Sequence, residues 1–416
     1  MAHVVTGLDV GTTKITTIIA SVRDDEQVDI IGAGQVISRG LEHGMVVNLE
    51  ETVNSIAESV HRAETIAGVE VDRAYVSIAG EHVQGINSNA AIPVGRERNE
   101  ITPEDVQRVL QNAQAINMPS DLRIIHVFPQ GYTVNGMEHV RNPVGLAGSR
   151  LEGEVYIVRG SSTAMQNIER AVERAGVEVA ELVLQPLASS MAVLEQDQMD
   201  MGVAMIDVGG GTTDIAVFVG GSIIHTAVVG VGGQNVTSDI AIKLSVPMLE
   251  AKRLKETYAY AMANLVDDDE EITPGAGLGG RKVRPFKTSF LAEIVESQME
   301  EIFSVVWREI ERAKLDKMLA SGVVLTGGGA MLRGATELAR SVFGLEAELG
   351  EPMGVVGLTQ DVLTPVNATG VGLVLYGATQ ELHAPREEDQ PEADDSSGGK
   401  GMLGTIGEWL KDFFTG

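Results

Sequence analysis

GLDVGTTKITTIIA (residues 7–20) and MIDVGGGTTDIAVFVG (residues 205–220) follow one plan. An apolar strand ends in Asp, Val-Gly follows, a turn of small residues comes next, and a second apolar strand closes the unit. Apolar runs on both sides of a Gly/Thr turn predict a β-hairpin. The plan recurs about 200 residues later, which predicts two similar α/β halves and not a solenoid. Tips rich in Gly, Thr and Ser expose backbone N–H groups with little steric cover, and such tips can cradle phosphate oxygens. Lys14 adds positive charge to the first tip, and Thr12, Thr13, Thr212 and Thr213 carry hydroxyl donors. Asp9 and Asp207 precede the two tips at matching positions. If the hairpins face each other, these carboxylates converge, and a hydrated Mg²⁺ is the natural ion between them and a polyphosphate. A single Gly-Thr turn would be weak evidence; two with matched Asp residues are much stronger.

A third stretch, VVLTGGGAMLRGATELA (323–339), reads as an apolar strand, a Gly triplet and an amphipathic helix. Gly327, Gly328 and Gly329 would let a flat ring approach the backbone closely. The same triplet equally serves a tight strand-to-helix turn.

Composition bounds the remaining possibilities. A chain of 416 residues is too long for one compact core and predicts two or more domains. The 44% hydrophobic content supplies a core, and with only 4% aromatics that core must rest on Val, Ile, Leu, Ala and Met. The absence of Cys excludes disulfides and thiol catalysis. Eight His residues show no metal-ligand spacing. A net charge of −28 argues against wrapping nucleic acid and against attraction of the main body to an anionic membrane. MAHVVTGLDVGTTK enters a strand at once, so no signal peptide is expected. No apolar run reaches the roughly 18–20 residues of a membrane span.

Helix patterns follow each hairpin. Residues 50–67 carry an apolar stripe, and 103–116 open with Thr102 as N-cap, Pro103 at the first helical position and acidic residues facing the positive helix end. Residues 164–175 and 290–313 also read as helices. DDDEE (267–271) and PGAGLGGR (274–281) read as a surface loop, and 384–400 as a disordered linker. The fold class is therefore α/β in two similar halves.

In chain order, GLDVGTTK, LQPLASSMAVL (184–194), IDVGGGTTDIAV, VVLTGGGAML and ATGVGLVLYGAT (368–379) resemble the five nucleotide-site signatures of the actin, Hsp70 and sugar-kinase superfamily. That resemblance implies two α/β domains with ATP·Mg²⁺ between them, without choosing among chaperone, kinase and filament protein. SRGLEHGMVVNLEETVNSI (38–56), HVFPQGYTVNGMEHVRNPVGLAGSRLEG (126–153) and GVGGQNVTSDIA (230–241) resemble the FtsA family of bacterial cell-division proteins. Within that family NPVGLAGSRLE (142–152) falls in the insert that replaces the usual second subdomain of the first half. The family implies an actin-like two-domain ATPase fold with an FtsA-type insert subdomain and a C-terminal amphipathic helix. Its members polymerise on the inner face of the cytoplasmic membrane at the division site, as peripheral proteins. They bind the C-terminal peptide of the tubulin-like FtsZ and link it to inner-membrane lipids and to later divisome proteins. A kinase would have no reason for the tail, and 384–416 leaves no room for a chaperone's peptide-binding domain.

Carried over by position, Gly11, Thr12, Thr13 and Lys14 match the first phosphate loop, and Gly209, Gly210, Gly211, Thr212 and Thr213 the second. Asp9 and Asp207 match the Mg²⁺-side carboxylates. Gly232, Gly233 and Lys255 fall where the superfamily touches the nucleoside, and Gly327, Gly328, Gly329 and Met331 match the adenosine loop. Gln185 stands where relatives place a Glu that orients the attacking water. Gln can hydrogen-bond water but is a poor base, so any hydrolysis is expected to be slow; the alternative is a simple polar residue at a helix start. The resemblance divides the chain into 1–83 plus 161–196 (subdomain 1A), 84–160 (insert, 1C), 197–233 plus 316–383 (2A), 234–315 (2B), the linker 384–400 and the tail 401–416. It puts the FtsZ-peptide site in 2B, on the helix from about 290, where Gln298 replaces an Arg of some relatives. Arg281, Lys282, Arg284 and Lys287 could supply that charge, or could form a solvated basic turn.

On a helical wheel Met402, Leu403, Ile406, Trp409, Leu410, Phe413 and Phe414 share an arc of roughly 140°. Such a segment either packs back on protein or lies in a membrane interface, and the family implies the membrane. Its polar face sets Lys411 against Glu408 and Asp412, so insertion should rest on apolar contact more than on anionic lipid.

Overall fold

The computed structural model describes residues 3–383 apart from 24, 96–99, 276, 281 and 359–361. The linker, the tail residues Met402–Phe414 and Arg281 lie outside the described residues. Among the described residues no helix is long and apolar enough to cross a membrane.

The two halves repeat one sheet. In the first, His3–Val10, Lys14–Val22 and Val28–Ile37 form an antiparallel meander, and Arg73–Ile78 and then Glu178–Leu184 add in parallel beyond His3–Val10. In the second, Val203–Val208, Thr213–Val219 and Ser222–Val229 form the meander, and Val323–Thr326 and Ala347–Leu349 add in parallel beyond Val203–Val208. Order and direction are the same in both.

Helix Leu49–Ala67 makes the first crossover. Asn48 caps it by accepting the Glu51 N–H, and Gly68 ends it with φ 71°. It lies tight on Val28–Ile37 because a Cβ at Gly34 would fall 2.1 Å from the Ser59 oxygen and one at Gly32 2.5 Å from the Ala63 oxygen. Helices Pro103–Gln114, Ser162–Arg174 and Thr288–Arg312 begin and end within a few residues of their expected bounds. Thr102 and Asp105 form a reciprocal capping box.

Between Arg73–Ile78 and helix Ser162–Arg174 an insert folds as a separate antiparallel sheet. Its order is Gln84–Pro93, Arg150–Ser161, Leu122–Val134 and Met137–Val140, with helix Pro103–Gln114 on one face and its own apolar core. The insert also meets the second half. The Tyr156 hydroxyl accepts the Thr226 N–H at 2.8 Å and lies 3.2 Å from the Thr226 carbonyl oxygen and hydroxyl.

Residues 355–383, grouped with the second half from sequence, return to the first. Val355–Gly357 pairs in parallel with Val28–Ile30, and helix Ala368–His383 packs on helix Gln185–Val193 and strand His3–Val10. Residues 368–379 are buried all round, which explains their unbroken apolar character. Second-half strands alternate accordingly. Met205, Ala216 and Phe218 join the first half's core, while Ile206, Ile215 and Val217 pack among the second half's own helices.

Gly372 sets the seat of the last helix, because a Cβ there would fall 1.7 Å from the Ala188 carbonyl oxygen. Gly372→Ala should lower stability by about 1–3 kcal/mol through overpacking, read as a lower urea midpoint. An unchanged midpoint would contradict this seat.

Candidate functional site

Both tips are tight turns requiring glycine at the same step. A Cβ at Gly11 would lie 2.8 Å from the Lys14 carbonyl oxygen, and one at Gly209 would lie 2.9 Å from that of Thr212. The tips face each other across the cleft. The Thr13 side chain covers Gly210 and the Thr12 side chain covers Gly211. Thr12 also accepts the Gly44 N–H at 3.1 Å.

Beneath the tips lie the buried carboxylates of Asp9 and Asp207. Asp9 accepts from the Ser77 hydroxyl at 3.0 Å and lies 3.5 Å from Lys14 Nζ. Lys14 also donates to Thr16 Oγ1 at 3.0 Å and to Asn367 Oδ1 at 3.3 Å. Asp207 Oδ2 accepts from Ser189 at 2.8 Å and from Thr369 at 3.4 Å, and the Gln185 side chain lies near this carboxylate. Burial raises the Asp207 pKa and the Asp9 charge adds to the rise, against the Ser189 hydrogen bond, the charge of Lys14 and the nearby Gln185 amide.

A third carboxylate completes the group. Asp214 lies directly across the hairpin from Asp207, at the rung where the first hairpin pairs Thr16 with Asp9. It is fully buried and accepts the Thr212 hydroxyl at 3.2 Å, while its Oδ1 has no partner among the described residues. Burial, with the Asp207 charge next, pushes its pKa well above the carboxylate range. Asp214 stands inside the quoted repeat, and its place opposite Asp207 in the hairpin was the signal that could have found it. Among the described residues no three His, Cys, Asp or Glu side chains are arranged to ligate an ion directly. Buried carboxylates with one unpartnered oxygen do fit a Mg²⁺ that keeps its waters.

Beside the second tip, the Gly233 and Gln234 N–H groups donate to the Gly209 and Gly210 carbonyls at 2.9 and 2.8 Å, so helix Gly233–Leu244 braces that tip. A Cβ at Gly232 would lie 2.8 Å from those same two oxygens. Lys255 Nζ donates to the Gly233 carbonyl at 2.8 Å.

The Gly triplet divides its roles. Gly327 has φ 83°, and a Cβ there would meet Asp207 Oδ1 at 2.2 Å; at Gly329 it would meet Val208 Cγ1 at 2.4 Å. These two glycines serve packing against the second hairpin, and Gly328 is the exposed one of the three. Met331 is half exposed at the end of the same turn.

The basic stretch lies on another part of the second half. Lys287 donates to Asp269 at 2.9 Å, Arg284 and Lys282 are exposed, and Gln298 lies 3.5 Å from Glu301.

Residues 204–372 match the family described as Cell division protein FtsA, and residues 80–159 match the SHS2 domain inserted in FTSA. The chain is 41% identical over 377 residues to the cell division protein FtsA of Pseudomonas aeruginosa, covering 91% of this chain and 90% of that one. It is 34% identical over 414 residues to that of Escherichia coli K12, covering 98% and 96%.

The chain belongs to the FtsA family.

Its family role is cell division. Among solved structures, the fold resembles the PilM-PilN type IV pilus biogenesis complex (TM-score 0.63, 17% identity, 90% of this chain and 98% of that one). It also resembles MreB5 of Spiroplasma citri bound to ADP (TM-score 0.55, 12% identity, 92% and 99%). The fold is thus actin-like with the FtsA insert. Ser77, Ser189, Asn367 and Thr369 were not singled out from sequence, because each reaches Asp9, Asp207 or Lys14 from a remote segment.

Burial lowers the Lys255 pKa from 10.5 to about 8, with Lys252 adding to the fall and Glu256 opposing it. Between those values the native side chain is neutral and the unfolded one charged, so unfolding takes up a proton and stability rises with pH. Urea midpoints at about pH 8 and about pH 10 should show this rise in wild type and a smaller one in Lys255→Met. Equal slopes would contradict the burial of Lys255.

Proposed function

We propose that this FtsA-family chain binds ATP·Mg²⁺ between its halves and uses it to control assembly of a membrane-bound filament that tethers FtsZ. The observation that carries the reading is the convergence of Asp9, Asp207, Asp214 and Lys14 beneath two facing Gly/Thr tips. Backbone N–H groups and threonine hydroxyls of the tips would bind phosphate oxygens, with Lys14 supplying charge. Gly232, Gly233, Lys255 and the loop Gly327–Met331 would face the nucleoside. The carboxylates would hold a hydrated Mg²⁺ through its waters, and the ion would offset phosphate charge. Gln185, beside Asp207, would orient water without abstracting its proton, so turnover would be slow. ATP would act chiefly on the angle between the halves and so on polymerisation.

The helix Thr288–Arg312, with exposed Phe290 at its start and Arg284, Lys287 and Gln298 nearby, would receive the FtsZ C-terminal peptide. The tail Met402–Phe414 would insert weakly in inner-membrane lipid, and a filament would multiply that affinity through effective concentration. Later divisome proteins would meet the same assembly.

Liposome co-sedimentation of the full chain and of residues 1–400, with and without ATP and an FtsZ C-terminal peptide, tests the tether. The full chain should sediment, more so with ATP, and residues 1–400 should stay in solution; equal sedimentation would overturn the mechanism. Gln185→Ala should slow single-turnover hydrolysis by about tenfold. An unchanged rate would remove Gln185 from the chemistry.

A further inference from the structure

We propose that His126, a residue of the insert, is a positioning residue for Gln185 and thereby couples the insert to the nucleotide site; this rests on the nucleotide reading above. Strand Glu178–Leu184 is the edge of the first sheet, and its far side faces insert strand Leu122–Val134. His126, on that strand, accepts the Leu184 N–H on Nε2 at 3.1 Å. Leu184 is also the N-cap of helix Gln185–Val193, and no side chain caps that helix start. That N–H is one of the unpaired donors of a helix start, and the ring of His126 does from outside what the third-position Glu or Gln of a capping box does from within.

The next residues carry the consequence. Gln185 follows Leu184 directly and precedes Pro186, which narrows its backbone choices further. Its side chain lies near Asp207, and Ser189 one turn later donates to that carboxylate at 2.8 Å. A shift of the Leu184 peptide would therefore move both groups at that carboxylate.

His126 is built to hold its place. It is 1% exposed and packs against the rings of Phe128 and Tyr376, with centroids 5.7 and 6.2 Å away. The Tyr376 hydroxyl is fixed in turn by Glu181 at 2.9 Å, on the same edge strand. Accepting on Nε2 puts the single ring proton on Nδ1, which has no partner among the described residues. Burial lowers the ring's pKa to about 4, so it stays a neutral acceptor. A buried imidazole with one nitrogen unsatisfied is a costly way to fill apolar space, and the bond to Leu184 is what the residue offers in return.

Full-length wild type, His126→Leu and His126→Gln test this by amide hydrogen exchange, nucleotide affinity and single-turnover ATP hydrolysis. Leu keeps bulk without an acceptor, and Gln can present an oxygen near the position of Nε2. His126→Leu should speed exchange at Leu184 by about tenfold or more and slow hydrolysis by about tenfold, with ATP affinity within about twofold of wild type. His126→Gln should restore exchange and hydrolysis to within about threefold. Unchanged exchange in His126→Leu, a loss that Gln does not restore, or an equal loss of affinity in place of turnover would each overturn the proposal. If wild type binds ATP without turning it over, only the hydrolysis reading falls. The exchange rate at Leu184 and the Gln185 side-chain amide resonance then decide the positioning role.

Discussion

The Asp207 carboxylate is where the separate parts of this chain meet. Helix Gln185–Val193 reaches it with Ser189, the returning helix Ala368–His383 with Thr369, and the loop after Val323–Thr326 with the backbone of Gly327. Asp214 lies across the rung and Asp9 adds a second negative field. Burying three carboxylates near a single ammonium is unfavourable in a low-dielectric setting, and hydroxyl donors offset only part of that. A cation between the tips would relieve the remainder, and its binding energy would then be linked to folding energy at one atom group. The cleft is held by contacts that are individually modest and directed to one place.

The duplicated sheet explains why such a place exists. Two meanders with parallel extensions put their Asp residues at equivalent rungs, and the pairing of halves brings the rungs together. The returning helix seats closely in the first half, because Gly372 allows backbone-to-backbone contact with helix Gln185–Val193, and its Thr369 reaches across to Asp207. Gly372 acts as a spacer of fixed thickness; any side chain there would push the two helices apart.

Local chemistry was legible in the sequence. The hairpin tips, the Thr102 cap and the α/β alternation follow from short-range patterns, and the structure repeats them. Asp214, Asn367 and Thr369 escaped notice because their importance depends on pairing register and on a helix that comes back from the far end of the chain. Gly327 and Gly329 pack closely against Asp207 and Val208, neighbours that the triplet did not announce. A glycine announces a close approach in sequence but not what approaches. The destination of residues 355–383 was equally invisible, since a helix buried all round from Ala368 to Thr379 carries no polar stripe to say which sheet it covers.

The hydroxyl of Tyr156 gives the insert a second attachment. The insert enters and leaves the first half covalently, yet its Tyr156 is bonded to both backbone groups of Thr226 on the edge of the second half. A body joined at both sides of a hinge behaves like a diagonal brace in a hinged frame. Rotation of one half against the other must either shear the brace or release one end. A change in the angle between the halves would therefore load the insert through Tyr156.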